Sequence, residues 1–208
     1  MSDALQPWIG LLMALAFALP CFGMGARMLH VWRQPLDIEN GRWVQLGVGV
    51  MVMEFILLHA GVFLAGLAVG VEGLGLTLLA AFGLAAFYAL FALAISHAFK
   101  SRMLLESFLW MIGGRLLALL IGISTREANL ILAYSVLSAV LYLPLVFASV
   151  FLPVPRLGIT AEIAASMRLP DAGGLWVEQP HRAIGVGTVY FFSLGVLSLL
   201  VLGGMALS

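Results

Sequence analysis

Residues 44–69 read VQLGVGVMVMEFILLHAGVFLAGLAV, an apolar run broken in its interior only by Glu54 and His59. A membrane helix needs roughly 20 mostly apolar residues, so this stretch predicts one span. A barrel strand would alternate apolar and polar over about 10 residues. This run is apolar on all sides, so it reads as a helix. Five further stretches have the same character: about 8–31, 74–99, 103–123, 129–152 and 184–207. The expected fold is therefore an all-α integral membrane protein, a bundle of six transmembrane helices in a single domain over 1–208.

Composition points the same way. Of 208 residues, 63% are hydrophobic and 10% charged, and mean hydropathy is +1.12. A soluble domain carries about 45–50% apolar and about 25% charged residues, so a water-soluble fold would lack polar groups to cover its surface. Lys+Arg and Asp+Glu both number 10. Zero net charge argues against a nucleic-acid partner, which needs a basic patch. Cys21 is the only cysteine, which excludes an internal disulfide, a CxxC pair and a zinc-thiolate cluster.

Charge placement predicts an orientation. The connections after the first, third and fifth spans hold Arg27, Arg33, Arg42, Lys100, Arg102, Arg156, Arg168 and Arg182, whereas the opposite side holds only Arg126. The positive-inside rule puts the first group in the cytoplasm, so both termini are expected on the outer face. The first span is expected to stay in place, because no Lys or Arg precedes it as in a cleaved signal peptide. In the cytoplasmic loop 153–183, Thr160 to Leu169 predicts a short amphipathic helix at the membrane interface. Ile159, Ile163 and Met167 face inward, and Trp176 stands as an interfacial aromatic. The overall pattern resembles small bacterial inner-membrane proteins of six spans.

Ionisable groups inside spans carry the chemistry, since each costs at least about 2.5–3.5 kcal/mol at mid-bilayer and needs a partner or a job. Glu54, His59 and Arg115 lie deep. Gly47, Glu54, Gly61 and Ala68 recur at a spacing of seven. Small residues on one stripe mark a face where another helix approaches closely, so Glu54 is expected to point into the bundle. His59, five residues on, lies about 140° around the helix; both groups face protein only if this span is central. With spans four and two aligned at their ends, Arg115 matches Glu54 in depth, and the two are expected to pair. The pair reads either as a register-fixing ion pair or as the charged centre of a polar pathway, with Tyr88, Tyr134 and Tyr142 as lining. His59 reads as a neutral imidazole bonded to a neighbouring helix, or as a relay or ligand.

Other chemistry has less support. Cys21, Met24, Met28 and His30 place soft ligands along the first span, with Met51 and Met53 on the next. Such groups suit Cu(I), but methionine and cysteine are also ordinary apolar filler. His30 and His97 end spans on the same side, the minimum for bis-histidine haem ligation. No cofactor is expected beyond these two weak options. GxSxG, HExxH and aspartate clusters are absent, so the reading leans away from an enzyme. Two functions stay open. One is binding or movement of a small solute or ion through the polar centre. The other is an accessory or assembly subunit of a larger membrane complex, with Gly195, Gly203 and Gly204 among the faces offered to partner helices. Lipid, further copies of the chain or other membrane subunits are the expected partners.

Overall fold

The computed structural model describes residues 6–71, 73–121, 125–167, 169 and 173–204. Its elements are α1 (Gln6–Arg33), α2 (Arg42–Gly70), α3 (Leu74–Ala98), α4 (Arg102–Ile121) and α5 (Thr125–Phe151), then the short α6 (Ala161–Ser166) and α7 (Leu175–Glu178), and α8 (Pro180–Gly204). No strand occurs among the described residues. Five helices are long and apolar enough to cross a membrane, in windows at Ala14–Arg33, Glu39–Leu67, Gly75–Ala98, Leu132–Phe151 and Pro180–Val201. This is the pattern of a multi-pass membrane protein. The expected fourth span is a helix of 20 residues, α4, but it is not among the five. It carries Arg102, Glu106 and Arg115.

Helix α2 occupies the middle. It packs against α3, α4, α5, α8 and, more lightly, α1. One side joins α3 and α4 through Met53, Ile56, Leu57, Ala60 and Leu64, which meet Ala81, Ala85 and Tyr88 of α3 and Leu104, Phe108 and Ile112 of α4. Another side joins α1, α5 and α8 through Val44, Met51 and Leu58, which meet Met28, Tyr142, Ile184 and Tyr190. A third strip, with Phe55 and Phe63, is exposed. The small-residue stripe does what its spacing implies: a methyl at Gly47 would overlap Ile184 of α8, and one at Gly61 would overlap Arg115 of α4.

The most extensive contact is between α1 and α8. Glycines allow it. Gly25 lies under Phe192, Gly195 under Phe22, Gly185 under Trp32, and Gly187 under Met28 and Met51. Close backbone approach through small residues is how helices associate where water supplies no drive between them. Gly195, expected to serve a partner helix, is thus consumed inside the chain. The surroundings of Gly203 and Gly204 lie outside the described residues.

One end of the bundle is tied by its connections. Trp32 Nε1 donates to the Pro155 carbonyl at 3.0 Å, and the Gly158 amide donates to the Trp32 carbonyl at 3.0 Å. Gln45 Nε2 donates to the Phe99 carbonyl at 3.4 Å. The Arg182 guanidinium donates to the Ser149 and Leu152 carbonyls at the C-terminus of α5, where a cation satisfies orphan carbonyls and the helix dipole together. Ile159 is fully buried beneath this seal. The helix expected from Thr160 to Leu169 is shorter. Thr160 caps it by accepting from the Ile163 amide, and it ends at Ser166 because Met167 turns extended, with φ −81° and ψ 137°. Met167 then packs beside Gly41. Arg168 lies outside the described residues.

Candidate functional site

Glu54 stands on the inner stripe of α2, between the helices that flank it. Tyr190 of α8, fully buried, donates its hydroxyl to Glu54 Oε1 at 2.7 Å. Tyr142 of α5 packs edge-on against Tyr190, ring centroids 5.2 Å apart, and donates to the Met51 carbonyl one turn below Glu54. The carboxylate of α2 is therefore held from α8, with α5 buttressing the ring that holds it.

The expected Glu54–Arg115 ion pair does not form: no nitrogen of Arg115 lies within 4.0 Å of a Glu54 oxygen. The reason is register. Leu104 of α4 seats on Gly49 of α2. Eleven residues further along each chain, in parallel helices, Arg115 comes level with Ala60 and Gly61. Aligning the two spans at their ends had placed α4 about a turn too low. The guanidinium lies over Gly61, seven residues beyond Glu54 and about 10 Å along the axis. Its Nη1 is buried with no hydrogen-bond partner among the described residues.

Further polar groups share this level. Tyr134 of α5 is 2.8 Å from Ser198 of α8. Ser198 itself donates to the Leu194 carbonyl at 2.8 Å, so Tyr134 is the donor in that pair. Ser138 donates to the Tyr134 carbonyl at 2.7 Å. The next residue, Ser135, has a buried hydroxyl without a partner. From Tyr142 through Tyr190 and Glu54 to Arg115, Tyr134 and Ser198, polar side chains of four helices follow one line inside the bundle. Measured on α2 from Met51 to Gly61, it is about 15 Å long.

His59 is not part of that line. Its Nδ1 is 2.8 Å from the Phe55 carbonyl of its own helix, and its ring lies 4.1 Å from the Phe55 ring on the exposed strip of α2. It was expected to bond to a neighbouring helix; the carbonyl four residues back takes that place. Tyr88, also considered as lining, sits on α3 with Phe87 and Phe91.

The sulfur groups divide. The thioethers of Met28 and Met51 converge on Gly187 in the core, and Cys21 is half-buried further along α1. His30 is elsewhere: its Nε2 lies 3.5 Å from Asp37 Oδ2 at an exposed helix end. His97 is exposed at the end of α3. Among the described residues, no three of His, Cys, Asp and Glu are grouped to hold a metal ion. Tyr190 is the site residue that sequence reasoning missed. Its signal was available: Gly187, Tyr190, Leu194 and Ser198 fall on one face of α8 at helical spacing, and a glycine at the head of that face marks it as the packed side.

The chain matches no family model, no curated protein and no solved structure.

Proposed function

We propose that this is a small inner-membrane protein of six spans, α4 included, that binds or moves a small solute or ion through the polar line between α2, α4, α5 and α8. The termini face outward and the Arg-rich seal faces the cytoplasm, as the positive-inside rule directs. α6 then lies along the interface.

The observation that carries the reading is the buried Nη1 of Arg115, a donor without a partner among the described residues, while the Glu54 carboxylate two turns away is bound to Tyr190 instead. A register-fixing ion pair would join the two charges. A buried charge left without a partner is strongly destabilising, and such a group in a membrane protein marks a pathway or ligand site. Glu54 and Arg115 are the charged members, with Tyr134, Tyr142 and Tyr190 lining. His59, on the exposed strip, contributes to lipid contact.

The test is flux into proteoliposomes holding the purified protein, with protons, acetate, phosphate and glycine as probes. Wild-type uptake of one probe above empty liposomes, lost in a Glu54→Gln protein that still inserts, supports the proposal. Full flux in Glu54→Gln contradicts it; no flux for any probe in the wild type contradicts movement and leaves binding to the titration below.

One observation favours the second reading, an accessory subunit. On α4, Trp110 is 86% exposed, and Gly113 and Gly114 have open space where a side chain would stand. A foreign helix could pack there. Co-purification of another polypeptide from the native membrane would favour that reading.

A further inference from the structure

We infer that the ligand of the polar centre carries an oxyanion, a carboxylate or a phosphate group, and that Arg115 receives it. This rests on the binding reading above and names the ligand's chemistry. The argument is an accounting of protons. Tyr142 donates to the Met51 carbonyl, Tyr190 to Glu54, Tyr134 to Ser198, and Ser198 to the Leu194 carbonyl. Each of these four hydroxyls has spent its proton; the Ser135 hydroxyl, a neutral donor at the same level, has not. Nor has the guanidinium Nη1 of Arg115. A guanidinium has five donors in a planar fork and no acceptor, and that geometry matches carboxylate and phosphate oxygens. A cation would be repelled, and a neutral acceptor would satisfy the donor without compensating its charge, whereas an oxyanion does both.

Gly61 gives the guanidinium its place against α2. Gly61 is buried directly under the guanidinium, and any side chain there would displace it. Glu54, two turns away on α2, does not reach this donor, and its Oε1 is bonded to Tyr190 of α8. The carboxylate disfavours a second anion nearby, which gives the inference a sign: removing its charge strengthens oxyanion binding.

The experiment is thermal unfolding in mild detergent, titrated at constant ionic strength with sodium propionate, sodium phosphate or, in mixed micelles, phosphatidic acid. Binding to the folded state raises the midpoint with ligand concentration. The expected result is a concentration-dependent rise in the wild type for at least one probe. Its apparent Kd increases about tenfold or more in Arg115→Met, the loss of a charge-assisted hydrogen bond, and is unchanged or lower in Glu54→Gln. Propionate or phosphate responding assigns a free solute; phosphatidic acid alone responding assigns a lipid headgroup. Gly61→Ala is the second variant should Arg115→Met fail to insert, and it also weakens the response. No rise with any probe overturns the inference. So does a rise that persists unchanged in Arg115→Met, which would come from the arginines at the sealed end, or one lost only in Glu54→Gln. Flux of glycine or protons without any oxyanion response would leave the transport reading standing and this inference refuted. An Arg115-dependent response without flux would do the reverse for transport.

Discussion

At the scale of the residue, the bond that matters most is the one between Tyr190 and Glu54. Both partners are inside the bundle, and Tyr190 Oη at 2.7 Å is the hydrogen-bond donor to the carboxylate. Hydrogen bonds to charged groups contribute about 1.5–3 kcal/mol, and a buried group left without its partner costs a similar amount. Tyr190→Phe should therefore lower stability by about 2 kcal/mol. In a double-mutant cycle, the coupling of Glu54→Gln with Tyr190→Phe should exceed that of Glu54→Gln with Arg115→Met. The reverse order, measured by thermal unfolding, would restore the direct ion pair. The sequence made Glu54 legible through the seven-residue recurrence of Gly47, Glu54 and Gly61. It made its partner illegible, because helix depth was counted from span ends, and the seat of Leu104 on Gly49 shifts α4 by about a turn. A single seated side chain sets register more firmly than hydropathy boundaries do.

At the scale of the element, the turn between α3 and α4 sets that register. α3 ends with the Ser101 amide donating to the Ser96 carbonyl at 3.0 Å. This closes a left-handed cap at Lys100, with φ 49°. Glycine is the usual residue there; a side chain in this conformation costs roughly 1–2 kcal/mol. The Lys100 side chain is exposed. Lys100→Gly should raise stability by about 1 kcal/mol, read from the unfolding midpoint. A fall would mean that the turn depends on the lysine. This strain had no signature in the sequence, since Phe99-Lys100-Ser101 carries no turn residue other than serine. Helix extents were readable, because a span's length follows from hydropathy. The end of α6 was not, because Met167 leaves the helix to pack beside Gly41, a contact distant in sequence.

At the scale of the whole molecule, the bundle is two packed groups that share α2. Each group uses a different side of α2, and the polar line runs along the strip between them. Glycine contacts draw α1 and α8 together on one side, and α3 and α4 close around the other. The sequence tied a central α2 to Glu54 and His59 both facing protein; α2 is central, but not for that reason. Only one of their two faces is interior, and His59 rides on the exposed strip with Phe55. A fold held by such contacts does not require a charge at position 115. Leu104, Phe108 and Ile112 already bind α4 to α2 and α3.

The account's central claim is that Arg115 is retained for a ligand at a cost to stability. The most direct test is the thermal unfolding midpoint of Arg115→Met beside the wild type, in detergent without added anion. A buried cation with no ion-pair partner among the described residues, replaced by an apolar side chain of similar length, should leave the midpoint unchanged or raise it. A fall equivalent to the about 3–5 kcal/mol expected when one partner of a buried ion pair is removed would show that Arg115 holds the bundle together, and would contradict the claim.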